Sequence, residues 1–447
     1  MRNGWFNPPH LGSTRLEGNR TLRARRGLEA TGTLRGDTTV EQKLTWIEQL
    51  ELMTLLFLHG MALAAWFVPM GTVLQASGLG SWTPYAFGAS AIAALLSPLF
   101  FGAMADRSVP PIRVLRWVCF GSGVLSLLTA YALGQGASGW VVWMMIQSQA
   151  LLSVPTNSLS GSIVLARVAN SHGQFGAIRA MGTAGWMAGC WIVSGLHLDA
   201  SPGTFLLSGV LWFVVAAYTL LLPAGVVPMG GAKRLTLRQR FGLDALSLLK
   251  VHDHRVIFAT AALVAIPFSA FYPYTPSHMK DLGMERTSAW MSIGQVVEVG
   301  IMFTIGGFMV DWRLKYVILL GLFSGLLRYL FYAMDSQVPL LLGVALHGMA
   351  FTFTYISTQI YLARRIAPEW RTRAQALLSL LVGGVGNLTG YLVTGAWLHW
   401  CTANSTVNWR PYWLGLDLLV LVVLIYFAIS YQGERQDSKP ESSGKLS

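Results

Sequence analysis

The segment Gly102-Ala-Met-Ala-Asp106-Arg107 has a close counterpart in the second half of the chain, Gly307-Phe-Met-Val-Asp311-Trp-Arg313. Each copy follows one apolar stretch and precedes another. The glycine lets two helices approach closely, and the aspartate can cap the next helix or pair with a neighbouring base. Two copies in equivalent loops predict a chain built from two related halves. We expect the motif to latch one side of the molecule through Gly102, Asp106, Arg107, Gly307, Asp311 and Arg313.

The chain contains a series of apolar stretches, each close to the roughly 20 residues that a membrane-spanning helix needs. Hydrophobic residues make up 53% of the sequence and charged residues 12%, whereas soluble domains carry roughly 25% charged residues. The stretches lie near 52–77, 83–105, 113–134, 139–166, 177–196, 203–223, 254–278, 288–310, 314–334, 338–363, 372–398 and 410–432. The sequence therefore predicts an all-α integral membrane protein with twelve transmembrane helices in two six-helix bundles.

Polar segments divide the chain into five predicted regions. These are a disordered cytoplasmic N-terminal extension (1–46), an N-terminal six-helix bundle (47–223), a basic cytoplasmic linker (224–253), a C-terminal six-helix bundle (254–432) and a cytoplasmic tail (433–447). Most basic loop residues fall on the side of the linker, and the opposite loops hold only Lys280, Arg286 and Arg410. Because basic loops stay in the cytoplasm, we expect a multi-pass inner (plasma) membrane protein with both termini cytoplasmic.

The net charge of +12 arises from these loops and from the N-terminal arm, so it does not indicate a nucleic-acid partner. The sequence has no G-x-x-x-x-G-K-[ST] segment and no H-E-x-x-H segment. It also shows no acyl-transfer triad and no paired carboxylates on a shared face. These absences predict a carrier rather than an enzyme or an ATP-driven pump, without catalytic residues, cofactor or metal. The expected partners are a small-molecule solute, protons and the lipid bilayer, and the chain is expected to act as a monomer.

Small residues and prolines predict local features of the spans. Gly185-x-x-x-Gly189 and Gly386-x-x-x-Gly390 permit close packing between helices. Prolines inside spans kink helices, and three occupy such positions: Pro98, Pro155 and Pro267.

Ionisable side chains are costly in a bilayer, so those within the spans are candidates for function. Arg179 and Thr183 are four residues apart and share one face of the fifth span. Gln295 and Glu298 are three apart and share one face of the eighth. If these spans face each other, the four side chains could bind a neutral, hydroxyl-rich solute, with a proton on Glu298. The alternatives are a structural ion pair, or an interfacial position for Arg179.

Two further ionisable residues lie in the ninth and tenth spans. Arg328 sits in the middle of its span, so we expect a partner in a neighbouring helix and a structural role. His347 titrates near neutral pH. It shares a helical face with Phe351 and Thr352, so it either lines the cavity or packs as a hydrogen-bonded residue.

Several segments resemble the nucleoside:proton symporter family of the major facilitator superfamily, whose loop motif is the one repeated at Gly102 and Gly307. They are Arg179-x-x-Gly182-Thr183-x-Gly185 followed by Trp186, Gly242-Leu-Asp244-Ala245, Ser292-Ile-x-Gln295-x-x-Glu298, and the stretch from Ala350-Phe351 to Arg373-Ala-Gln375. The resemblance runs in order over roughly residues 46–430. It implies two bundles that rock about a midplane site, and proton-driven nucleoside uptake across the inner membrane.

The resemblance also implies which residues line the ligand site. His347 stands where the family has a tyrosine, and Thr352 stands where it usually has an aspartate. The segment 267–273 lacks the amides expected in the seventh span, and Trp186 replaces a smaller aromatic residue. The implied substrate-binding set is Arg179, Thr183, Trp186, Gln295, Glu298, His347 and Phe351. Without the aspartate, Glu298 and His347 remain the candidate proton carriers.

Two other functions stay open on the sequence alone. A carrier for a sugar or a small organic ion would use Arg179 to bind a carboxylate, and competition by uridine or adenosine would separate it from a nucleoside carrier. A membrane sensor that has lost transport would accumulate no solute. The departures at Ala270 and Thr352 permit this third function.

Overall fold

The first helix begins well before its apolar stretch. The Thr45 side chain accepts a hydrogen bond from the backbone nitrogen of Glu48, and the Glu48 carboxylate accepts one from the backbone nitrogen of Thr45 at 2.9 Å. This capping box satisfies N–H groups that a helix start leaves without partners. Helix α1 (Trp46–Phe67) therefore includes a polar first turn, and it starts at the last residue assigned to the N-terminal extension.

The computed structural model describes residues 44–105, 109–168, 172–223, 236–308, 312–404 and 406–433. Almost all of the predicted extension, much of the linker and nearly all of the tail lie outside these residues. The first half of the molecule is formed by α1, α2 (Met70–Ala76), a 3-10 turn (Gly80–Trp82), α3 (Thr83–Ala105), α4 (Pro111–Gly134), α5 (Gly139–Arg167), α6 (His172–Gly195) and α7 (Gly203–Leu221).

The second half begins with two short elements that the sequence analysis had assigned to the polar linker. They are α8 (Leu237–Arg240) and the 3-10 helix Leu243–Lys250, which is tied to the second half by an ion pair of 2.9 Å between Asp244 and Arg373. The remaining helices are α9 (His252–Phe268), α10 (Phe271–Asp281), α11 (Thr287–Met291), α12 (Ile293–Phe308), α13 (Leu314–Tyr332), α14 (Gln337–Phe351), α15 (Ser357–Arg365), α16 (Pro368–Ser379), α17 (Asn387–Trp400) and α18 (Trp409–Ser430).

Irregular segments interrupt several of the long helices. The π-helical segments Thr352–Ile356 and Leu380–Gly386 join α14 to α15 and α16 to α17. A short antiparallel hairpin of β1 (Thr402–Ala403) and β2 (Thr406–Val407) precedes α18. Pro267 lies just before the break between α9 and α10, whereas α5 continues past Pro155 and α3 continues past residue 98.

The helices account for all twelve apolar stretches of the sequence. Among the described residues, eight helical stretches are long and apolar enough to cross a membrane: Trp46–Ala76, Pro111–Gly134, Gly203–Leu221, His252–Asp281, Leu314–Tyr332, Gln337–Arg365, Pro368–Trp400 and Trp409–Ser430. The other four stretches coincide with α3, α5, α6 and the pair α11–α12, for which spanning stays a prediction.

Glycines let α6 pack closely against α1. A Cβ atom on Gly185 would overlap the carbonyl oxygen of Phe57, and one on Gly189 would lie 2.7 Å from that of Met61. In the second half, a Cβ atom on Gly390 of α17 would lie 2.7 Å from the carbonyl oxygen of Ile266 in α9. Both predicted small-residue contacts are therefore confirmed, and the first of them fixes the helix that carries Arg179.

The two halves contact each other along α3 and α17, and they also meet near the loop between α6 and α7. There α2 contacts α10, and α6 contacts α11. Asp199 in that loop accepts a hydrogen bond from the backbone nitrogen of Ser288 at 2.7 Å, and Ser194 accepts one from that of Ala289 at 2.9 Å. The indole of Trp191 donates to Ser292 at 2.9 Å. We call this region the Asp199 end.

Candidate functional site

Helix α6 presents three of the predicted site residues. Arg179 is exposed, and Thr183 and Trp186 are half-buried one and two turns further along. The Trp186 ring lies edge-on to Phe67 of α1 at 6.1 Å and to Tyr272 of α10 at 5.9 Å. Its Nε1 is buried without a hydrogen-bond partner among the described residues. Trp186 therefore contributes a ring at the boundary between the two halves.

Tyr272 is the centre of this aromatic group, and the sequence analysis did not single it out. Its hydroxyl accepts a hydrogen bond from Nε2 of Gln295 at 3.1 Å. Its ring lies 5.4 Å from Phe67, 4.9 Å from Phe271 and 6.2 Å from His347. The sequence does contain one indication of this role. Tyr272 is an aromatic residue with a polar hydroxyl, and it lies between Pro267 and Pro273, where the seventh span breaks.

Helix α12 contributes Gln295 and Glu298. Gln295 is 4% exposed, and its Oε1 is buried without a partner among the described residues. Glu298 is half-buried and lies close enough to Arg179 for the two charges to interact. Among the described residues, no ion pair within 4.0 Å joins them. Because α6 contacts both α11 and α12, the predicted facing of the fifth and eighth spans is confirmed.

His347 lies behind Tyr272 and is 7% exposed. Its ring stacks on Phe271, with ring centres 3.5 Å apart, and lies 6.3 Å from the ring of Phe351. Its Nδ1 lies 2.7 Å from Nη1 of Arg328, which is fully buried. Arg328 thus has the predicted partner in a neighbouring helix, and that partner is itself a predicted site residue.

Phe351 and Thr352 lie where α14 passes into a π-helical segment. Phe351 is half-buried and packs against Tyr355 at 5.4 Å between ring centres. Thr352 is fully buried, and its hydroxyl has no hydrogen-bond partner among the described residues. A π-helical turn is a frequent feature of functional sites, because the extra residue redirects side chains.

The repeated loop motif falls largely outside the described residues. Asp106, Arg107 and Asp311 belong to the undescribed positions, so their predicted latch role stays a prediction. Gly102 and Gly307 lie near the ends of α3 and α12. Arg313 has an extended backbone and directly precedes α13.

Three buried ionisable residues were missed, although the rule that selected Arg179 applies equally to them. His278 of α10 is fully buried and lies 2.8 Å from the Asp335 carboxylate. His59 of α1 is buried, lies 2.6 Å from the Thr156 hydroxyl and interacts electrostatically with Arg179. Asp417 of α18 is buried, and its Oδ1 has no partner within the described part of the chain. No group of three or more metal-ligating side chains occurs among the described residues.

A cavity of about 560 Å³ lies at the Asp199 end. Both halves line it, with Gln75 and Thr83 from the first and Ser277 and His399 from the second. None of the predicted binding residues is among those lining it. Pro273 and Tyr274, the two residues that follow Tyr272, line the cavity, but Tyr272 itself does not.

Comparison with known proteins gives one family match over most of the chain. The sequence profile of the family described as "Nucleoside H+ symporter" matches residues 47–436. The chain is 28% identical to the putative nucleoside transporter YegT of Escherichia coli over 402 residues, covering 86% of this chain and 93% of that protein. It is 26% identical to the xanthosine permease of Escherichia coli over 417 residues, covering 87% and 98%.

Solved structures show the same fold. The crystal structure of the nucleoside transporter NupG superposes with a TM-score of 0.75 at 22% identity, covering 86% of this chain and 99% of that one. The D-xylose-proton symporter superposes with a TM-score of 0.64 at 15% identity, covering 87% and 99%. At these identities the likeness establishes the fold alone, which is that of a two-bundle helical membrane transporter.

Proposed function

The chain belongs to the nucleoside H+ symporter family, and from this premise we propose that it carries nucleosides across the inner membrane together with protons. The chain is a multi-pass membrane transporter and not an enzyme. The observation that carries the proposal is the meeting of Trp186 from the first half with Tyr272 from the second, flanked by the opposite charges of Arg179 and Glu298. A solute held there touches both halves, as alternating access requires.

The side chains around Tyr272 suit a solute with a flat ring and several hydroxyl groups. Within the described part of the chain, the buried acceptor Oε1 of Gln295 and the buried donor Nε1 of Trp186 have no hydrogen-bond partner. Buried polar atoms without partners are costly, and a bound hydroxyl or base edge would satisfy them. Arg179, Thr183 and Glu298 supply further hydrogen bonds in this proposal, and Trp186 and Phe351 stack on the ring.

Protonation of Glu298 is the proposed coupling step. A carboxylate within a membrane-spanning segment is costly while charged, and a proton removes that cost. The Arg179 charge nearby moderates the cost until the solute arrives. His347 was the second candidate carrier, but Nδ1 already faces a guanidinium, so proton uptake there would first have to break that contact. We therefore propose Glu298 as the proton carrier.

Transport in this proposal proceeds by rocking of the two predicted bundles, 47–223 and 254–432, which the linker 224–253 connects. The contacts at the Asp199 end hold that end closed, so the cycle must break them. The distribution of basic loops supports a periplasmic position for this end and a cytoplasmic position for both termini. The chain is proposed to act as a monomer in the lipid bilayer, with the segments 1–46 and 433–447 as cytoplasmic extensions.

Uptake of radiolabelled uridine and adenosine tests the proposal directly. The chain is expressed in cells that lack their own nucleoside permeases, and uptake is measured with and without an uncoupler. We expect uptake that the uncoupler abolishes, and competition by unlabelled nucleosides but not by sugars. Absence of uptake by protein shown to be in the membrane would contradict the proposal.

A further inference from the structure

Arg328 is a buried cation that has no acidic partner among the residues that the structure describes. It is fully buried, and among the described residues no carboxylate lies within 4.0 Å of it. Its guanidinium lies over the rings of Phe268 at 4.5 Å and Tyr329 at 4.3 Å. Such contacts favour a cation, yet Nε and Nη2 have no hydrogen-bond acceptor in the described part of the chain.

The contact with Arg328 fixes the hydrogen-bonding character of His347. Arginine only donates hydrogen bonds, so Nδ1 of His347 must accept the one from Nη1. A neutral imidazole that accepts through Nδ1 carries its proton on Nε2. Nε2 makes no hydrogen bond to any described residue. The ring atom next to it, Cδ2, would lie 3.4 Å from a Cβ atom on Gly294 of α12. His347 therefore offers an N–H donor, and the Arg328 charge behind the ring strengthens that donor.

We infer that the Arg328–His347 pair makes this position selective for a hydrogen-bond acceptor on the solute, such as a carbonyl oxygen or a deprotonated ring imide. The inference rests on the proposed nucleoside transport. The rings of Phe271, Tyr272 and Phe351 surround His347, so the flat base is the part of the solute that meets it. Bases with a carbonyl group at this edge bind more tightly than bases with an amino group there, because the amino group places a second donor against the His347 N–H.

The chemical consequence is a preference within matched pairs of nucleosides. Uridine carries a carbonyl group where cytidine carries an amino group, and inosine and adenosine differ in the same way. A solute that leaves a buried donor without an acceptor binds roughly tenfold more weakly than one that supplies the acceptor. We therefore expect uridine to compete better than cytidine, and inosine better than adenosine, each by about tenfold.

Substitution of His347 separates this role from a purely structural one. His347→Phe keeps a flat ring against Phe271 but removes the donor. Uridine and cytidine should then compete about equally, and so should inosine and adenosine. His347→Gln keeps an N–H donor on a side chain of similar reach and should retain the preference. His399→Phe makes the same change at an exposed histidine at the end of α17 and should leave both preferences unchanged.

The experiment measures inhibition of labelled uridine uptake by the four unlabelled nucleosides in the wild type and in each variant, with membrane levels checked. Loss of both preferences in His347→Phe alone is the expected result. Equal competition within each pair in the wild type, or preferences that survive in His347→Phe, would overturn the inference while leaving nucleoside transport intact. Absence of any nucleoside uptake by the wild type would overturn both.

Discussion

Asp199 accepts a hydrogen bond from the backbone nitrogen of Ser288, and the 2.7 Å contact joins the first half of the molecule to the second. The same carboxylate oxygen also accepts a hydrogen bond from the Ser194 hydroxyl at 2.9 Å. The Ser194 hydroxyl in turn accepts a hydrogen bond from the backbone nitrogen of Ala289 at 2.9 Å. Charge-assisted bonds of this kind are about twice as strong as neutral ones. The start of α11 is thereby held by a loop of the opposite half.

Removal of this carboxylate should favour opening at the Asp199 end. Loss of a side-chain acceptor at a helix start costs about 0.5–2 kcal/mol, so Asp199→Ala should lower the closed-to-open ratio roughly twofold to thirtyfold. Spin labels on cysteines placed at the exposed positions Ser81 and Glu285, one in each half, report the separation in a cysteine-free background. The long-distance population should grow in the variant.

Asp335→Asn is the matched control for this measurement. Asp335 bonds to His278 at 2.8 Å, and both residues belong to the second half, so the contact does not cross between the halves. The control should leave the distance distribution unchanged. An unchanged distribution in Asp199→Ala would show that the closed end depends on other contacts.

A methyl group added at Gly185 should destabilise the protein. The new Cβ atom would overlap the Phe57 carbonyl oxygen, and backbone cannot yield as a side chain can. Overpacking of this kind costs about 1–3 kcal/mol, so Gly185→Ala should lower the melting temperature of the purified protein by several degrees. Gly176→Ala lies on the same helix with open space around it and serves as control. Equal melting temperatures would mean that α1 and α6 can separate at no cost.

The long helices could be predicted because apolar runs of this length have few alternatives in a bilayer. Both glycine contacts followed from spacing, since small residues one turn apart leave a groove for a neighbouring helix. Helix α1 starts earlier than its apolar stretch predicts, because the polar Thr45–Glu48 capping box begins the helix. The π-helical segments have no comparable signature in the sequence.

The candidate site was only partly predictable, because its members come from four helices far apart in the chain. The rule for intramembrane charges identified Arg179, Glu298 and Arg328. It could not reveal that Arg328 contacts His347, since nothing local encodes that pairing. Tyr272 was missed because a tyrosine in an aromatic segment looks like a packing residue until its hydroxyl is seen to meet Gln295.

Trp186 should contribute through its ring. Stacking of a base on an aromatic side chain is worth about 1–3 kcal/mol, so Trp186→Ala should raise KM for uridine roughly fivefold to 150-fold. Trp186→Phe retains a ring between Phe67 and Tyr272 and should raise KM far less. Initial rates of uptake over a range of uridine concentrations give both values. A similar loss in the two variants would instead assign binding to the indole N–H.

Glu298→Gln should separate solute binding from proton coupling. Glutamine resembles the protonated carboxyl group in shape and cannot release a proton. The variant should therefore exchange labelled for unlabelled nucleoside across the membrane, but it should lose accumulation against a gradient and the pH dependence of uptake. The measurements are counterflow in proteoliposomes and the steady-state accumulation ratio with an imposed pH gradient.

Glu285→Gln is the control for this prediction, because Glu285 is an exposed carboxylate in the loop between α10 and α11. It should accumulate solute like the wild type. If Glu298→Gln also accumulates uridine in response to the pH gradient, the proton is carried elsewhere, and Asp417 becomes the next candidate because its buried Oδ1 has no partner among the described residues. If exchange is lost together with accumulation, Glu298 is required to hold the solute itself, and the neutral amide cannot replace the charge.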